Sequence, residues 1–156
     1  MRRKDREISD INEIESIINK CDTVRIGMVD GTMPYVVPMN FGYTNKTLYL
    51  HCAREGRKLE ILQKNNNVCV EFDNNHILED GGEKACEWGM KYESVIGFGK
   101  ALIVSDINEK KHGLNVLMSH YAADYTFKTF DYPDAMLDMT VVIKIEIETI
   151  SGKRKS

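Results

Sequence analysis

The chain has 156 residues, 42% hydrophobic and 29% charged, with 21 basic and 24 acidic side chains for a net charge of −3. This is the size and composition of one domain with a substantial core. The near-balanced charge gives no field to draw nucleic acid or anionic lipid, and no apolar run is long enough to span a membrane. The basic start, Met1 to Glu7, has no apolar stretch behind it and does not read as a secretory signal, so the cytoplasm is the expected compartment.

Residues 10–21 carry Ile11, Ile14, Ile17, Ile18 and Cys21 at helical spacing, and Asp10 with Glu13 has the form of a capping box. The period then changes to two. Val24, Ile26 and Met28 alternate with Arg25, Gly27 and Val29, and Asp30-Gly31 marks a hairpin into a return strand over 33–43. A turn at Thr44-Asn45-Lys46 leads to a third strand, 47–53, and then to a helix over 56–65 bearing Leu59, Ile61 and Leu62. A strand over 67–78 shows Val68, Val70 and Phe72 on one face, and 79–89 reads as a loop. In the long strand over 90–104, Gly97 and Gly99 predict a bulge or sharp bend.

A helix over 106–122 presents Leu114, Leu117, Met118 and Tyr121. Residues 124–138 read as irregular and aromatic, and the last strand, 139–150, alternates Val141, Ile143, Ile145 and Ile147. Residues 1–7 and 151–156 are expected to be flexible tails of a single domain. Six short strands with helices between them predict an α+β protein whose antiparallel sheet closes into a barrel, which removes unpaired edges.

Cys21, Cys52, Cys69 and Cys86 are widely spaced and form no metal-type pattern with His51, His76, His112 or His120, so free thiols and no metal site are expected. The chemistry concentrates in Arg54-Glu55-Gly56-Arg57-Lys58, where a strand passes into a helix. A helix start exposes unpaired N–H groups and the positive end of the macrodipole. Gly56 allows close backbone approach, and Arg57 and Lys58 add charge, so a phosphate could be held here. The plain alternative is a solvated basic helix start balanced by Glu55 and Glu60. His51 could likewise be a ligand-facing residue or a packed strand histidine, and Trp88 a cover for a flat ligand or local loop packing.

The segments VRIGMVDG (24–31), PYVVPMNFGY (34–43), LYLHCAREGRKLEILQKN (48–65), VCVEF (68–72) and CEWGMKYESVIGFGKA (86–101) occur in this order. In that combination the chain resembles the flavin-binding split barrels related to pyridoxamine 5′-phosphate oxidase, over about residues 8–150. Within them it is most similar to the branch of 5-nitroimidazole resistance (Nim-type) proteins.

The resemblance implies a six-stranded antiparallel split barrel with flanking helices, a homodimer, and FMN in clefts at the subunit interface. It places Arg57 and Lys58 on the FMN phosphate, with Arg25 joining them. Pro38, Met39 and Asn40 fall beside the isoalloxazine ring, and Ser94 points a polar group at it. His51 lies near the flavin as the catalytic candidate, since histidine is the side chain whose ordinary titration falls near neutral pH. Trp88 falls near the partner subunit's cofactor. Cys52 stands where relatives commonly have serine, similar in size but a poorer hydrogen bonder.

The oxidases proper recognise pyridoxine phosphate with a C-terminal segment carrying arginine and histidine. The ending IETISGKRKS departs from that pattern. The expected function is therefore an FMN-dependent reductase of a small electrophile such as a nitroaromatic compound, with a nicotinamide as candidate electron donor. The alternatives are a non-catalytic flavin or haem binder and a pyridoxamine phosphate oxidase-like enzyme.

Overall fold

The computed structural model describes residues 2–122 and 130–156. Its strands are β1 (Glu7–Ile8), β2 (Val24–Asp30), β3 (Met33–Met39), β4 (Gly42–Thr44), β5 (Thr47–Ala53), β6 (Asn67–Glu79), β7 (Gly89–Ile103) and β8 (Thr140–Lys155). They form one antiparallel sheet in the order β3-β2-β6-β7-β8-β5-β4, with β1 paired to β8. The two edge strands, β3 and β4, are joined only by Asn40 and Phe41. Three Cα–Cα steps reach at most about 11 Å. The sheet therefore curls until its edges meet at that end.

The inner face carries the alternating residues that the sequence shows. Val24, Ile26 and Met28 of β2, Val68, Val70 and Phe72 of β6, and Ile143, Ile145 and Ile147 of β8 all lie in one buried cluster. Helix α1 (Ile11–Ile18) adds Ile14, Ile17 and Ile18 to it, and α2 (Arg57–Lys64) adds Leu59, Ile61 and Leu62. The Asp10 side chain caps α1 by accepting the Asn12 N–H at 2.9 Å. Helix α3 (Ile107–Tyr121), capped by Asp106, covers the outer face of β5, where Tyr49, Val104 and Val142 form a second small cluster. No helix among the described residues is long and apolar enough to cross a membrane.

The α+β class is as expected, but among the described residues the sheet has eight strands and not six. The expected return strand over 33–43 breaks in two. Phe41 turns inward, fully buried, with its ring 5.1 Å from that of Phe72, and this takes Asn40 and Phe41 out of the ladder. The register between β7 and β8 shifts between Phe98 and Gly99, at the bulge that the glycines predict. A Cβ at Gly99 would strike the Glu146 carbonyl.

The expected C-terminal tail is paired through Lys155 instead, and of the expected N-terminal tail Glu7 joins β1. Strand β8 runs to Lys155, and Ile8 pairs with Gly152, where a missing Cβ lets Ile8 and Ile14 approach. The charges of SGKRKS have partners. Arg154 binds the buried Glu93 at 2.6 Å and Glu13 at 3.1 Å, and Lys155 binds Glu79. Within the expected irregular stretch, Asp134–Met139 forms a short helix, α4, while 123–129 lies outside the described residues.

Candidate functional site

The end of β5 and the start of α2 bring His51, Cys52, Gly56, Arg57 and Lys58 together over eight residues of chain. Strand alternation sends their side chains to different sides. Cys52 faces inward against the core, half-buried, and His51 faces outward beneath α3 and α4. Burial pushes the Cys52 thiol up, with the nearby Lys58 charge working against it. Gly56 is the N-cap of α2 at φ 140°, a conformation that L side chains rarely adopt, and nothing lies within 4 Å of where its Cβ would be.

Arg57 reaches back to the β2–β3 hairpin. Its guanidinium pairs with Asp30 at 3.1 Å and lies 4.8 Å from the centre of the Tyr35 ring. Arg54 and Lys58 form no ion pair among the described residues. Beside them an open cavity of about 620 Å³ is lined by Ala53, Arg54, Glu55 and Met139. The arrangement fits a phosphate monoester. Arg54 lines the cavity beside Glu55, and Gly56, Arg57 and Lys58 follow it directly in the chain, so a first helical turn with two cations starts at the cavity's edge.

The other residues singled out by sequence form a separate group. Arg25, Pro38 and Ser94 lie on the outer sheet face, where Arg25 pairs in register with Pro38 and Glu71, and Ser94 with Asp73 and Lys153. Arg25 binds Glu71 at 3.1 Å and also Asp73, which His76 meets at 2.9 Å. Burial, with Asp73 adding to it, raises the Glu71 carboxyl, and Arg25 opposes the shift.

Arg25 stands five residues along β2 from Asp30, the partner of Arg57, which is roughly 17 Å of strand. No ion pair or hydrogen bond among the described residues links it to the β5–α2 turn. Met39 points inward onto the core, and Asn40 sits exposed in the β3–β4 connection. Trp88 lies in the loop between β6 and β7, with its indole N–H donating to the Gly82 carbonyl at 2.9 Å.

A second cavity, about 280 Å³, opens over His51 and is lined also by Leu114, Asp131, Tyr132, Pro133, Met136, Leu137 and Thr140. Sequence reasoning missed this wall. Its one local signal is Pro133-Asp134 ahead of Met136-Leu137, a helix start within an otherwise irregular stretch.

A curled antiparallel sheet with a cationic turn where β5 passes into α2 is the arrangement these residues build. The pyridoxamine 5′-phosphate oxidase family matches residues 10–154, and the chain belongs to that family. It is 42% identical to a candidate 5-nitroimidazole antibiotic resistance protein from Bacteroides thetaiotaomicron, covering 95% of this chain and 86% of that one, with a TM-score of 0.82. The fold is also that of an FAD- and haem-binding protein from Mycobacterium smegmatis (16% identity, 97% of this chain and 74% of that one, TM-score 0.86). The flavocytochrome Anf3 from Azotobacter vinelandii shares it too (18% identity, 100% and 72%, TM-score 0.85). Among curated proteins, none matches the chain.

Proposed function

We propose that the protein is a cytoplasmic, FMN-dependent reductase of small electrophiles such as nitroaromatic compounds. The carrying observation is the turn itself: Gly56 open in front, Arg57 and Lys58 in the first turn of α2, and the 620 Å³ cavity beside them. The likeness to the Bacteroides protein supports the nitroaromatic class. When bound, the flavin supplies the electrons. The chain's own residues do the rest. Arg57 and Lys58 hold the phosphate, and His51 donates a proton or orients the acceptor above β5.

An absorption spectrum of the purified protein tests this reading. The expected result is a flavin spectrum that bleaches with a nicotinamide donor and recovers on adding a nitro compound. A Soret band, or a flavin indifferent to both reagents, would return the protein to the class of haem or flavin binders without turnover.

We further propose a homodimer formed through the outer sheet face. Val29, Val36, Ile96 and Phe98 are exposed there, and Phe98 and Val36 keep only 45% and 39% of their surfaces covered, from exposures of 55% and 61%. They lie in adjoining rows of β2, β3 and β7 around Gly27 and Cys69. Such a patch on a small domain marks an interaction surface. The resemblance to split barrels implies flavin clefts between subunits, so this contact would complete the site. Sedimentation should give twice the 17.9 kDa chain mass, and Phe98→Asp should give the single chain with weakened FMN binding. A wild-type monomer that binds FMN tightly would rule the dimer out.

A further inference from the structure

Helix α4 and the first residue of β8 form a wall shared by the two cavities. Met136, Leu137 and Thr140 line the smaller, and Met139 lines the larger. Thr140 also lies across the ladder from Ala53, another lining residue of the larger cavity. We propose that Lys110, outside both linings, is the positioning residue of this wall, and that its ammonium sets FMN affinity by fixing the corner where α4 passes into β8. The proposal rests on the reductase reading for the flavin, while its claim on the wall stands by itself.

Helix α4 cannot hold its own shape. Six residues are too few for a stable helix, and its N-cap, Pro133, makes no side-chain cap bond. The Met136 and Leu137 N–H groups both donate to the Pro133 carbonyl, at 2.9 and 3.1 Å. The last carbonyls of a helix have no partner within it. Here the Lys110 ammonium donates to the Leu137 carbonyl and to the Thr140 carbonyl, each at 2.8 Å. One side chain thus closes the end of the helix and grips the start of the strand, and a cation is favoured at a helix C-terminus. Leu137 is only 2% exposed, so water cannot readily replace the lost donor.

Lys110 itself belongs to an anchored element. The Asp106 side chain caps α3 by accepting the Glu109 N–H at 2.8 Å, and the Lys110 N–H donates to the Asp106 carbonyl at 2.9 Å. Glu109 pairs with Lys144 of β8 at 3.0 Å. The ammonium therefore starts from a point fixed against β8, and the corner is placed relative to it. Two further bonds hold other parts of the wall. The Tyr132 hydroxyl donates to Asn115 Oδ1 and the Thr140 hydroxyl to the Met136 carbonyl, both at 2.8 Å. Neither engages Leu137.

Hydrogen exchange and FMN titration of the full-length protein test the proposal. Lys110→Met keeps the stem and removes the donors. The Leu137 and Thr140 amides, which donate to the Pro133 and Leu137 carbonyls, should then exchange at least about tenfold faster, with the rest of β8 unchanged. FMN affinity should fall about tenfold, the scale on which a residue without ligand contact acts through its neighbours. Lys110→Arg, whose guanidinium also offers several donors, should restore both. Lys110→Gln, with a shorter neutral donor, replaces Lys110→Met in each comparison if the latter does not fold. Unchanged exchange at Leu137 and Thr140, or acceleration spread through the whole chain, overturns the proposal. So does a loosened α4 with FMN affinity intact, or Lys110→Arg as impaired as Lys110→Met. A wild type without FMN affinity or nitro turnover sinks the reductase reading, and exchange at Leu137 and Thr140 then decides the wall alone.

Discussion

Replacing Arg57 and Lys58 together by alanine should weaken FMN binding by roughly 10²–10⁴-fold while leaving riboflavin binding little changed. Each charge-assisted hydrogen bond to a phosphate oxygen is worth about 1.5–3 kcal/mol, so two account for roughly 3–6 kcal/mol. Every 1.4 kcal/mol or so is a factor of ten in affinity. The fold should tolerate the change. Arg57 loses only an exposed pair with Asp30 and a contact with Tyr35, and exposed pairs contribute about 0–1 kcal/mol. Asp30→Asn is the internal control, because it frees Arg57 from its carboxylate partner and should tighten FMN binding if the guanidinium is shared between the two. Fluorescence titration with both flavins reads the result. Equal losses for FMN and riboflavin in the double variant would remove the phosphate from this turn.

His51→Ala should keep FMN bound and slow reoxidation of the reduced flavin by a nitro compound by about 10²–10⁴-fold, the usual contribution of a positioned general acid. The side chain is exposed over the smaller cavity and pairs across the ladder with Val142, so its removal costs little packing. Stopped-flow absorbance across pH separates two roles. A proton donor imposes its own titration on the wild-type rate, and the alanine variant loses that dependence. A residue that only orients the acceptor changes its apparent affinity and leaves the pH profile alone. An unchanged rate would make His51 a bystander beside the site.

The sequence by itself determined the elements that depend on neighbours in the chain. Strands β2, β5 and β6 and helices α1, α2 and α3 follow from periods of two and of 3.6, and Asp10, Asp106 and Asp30-Gly31 mark their boundaries. The turn at Gly56-Arg57-Lys58 was legible for the same reason. Its cations and its glycine are consecutive, so no long-range contact is needed to assemble them.

Only the tertiary structure decided what comes from far along the chain. The segment SGKRKS reads as a flexible tail until Glu13, Glu79 and Glu93 arrive to pair with its cations. Arg25, which the resemblance places on the phosphate, is set by β6 beside Glu71 and Asp73 of its own chain. The wall over His51 carries almost no periodic signal. Six residues make too short a helix to announce itself, and α4 exists where Lys110, 27 residues earlier in the chain, satisfies its terminal carbonyl. Local pattern encodes which face of an element is apolar, and a polar group's role depends on its distant partners, which sequence spacing does not reveal.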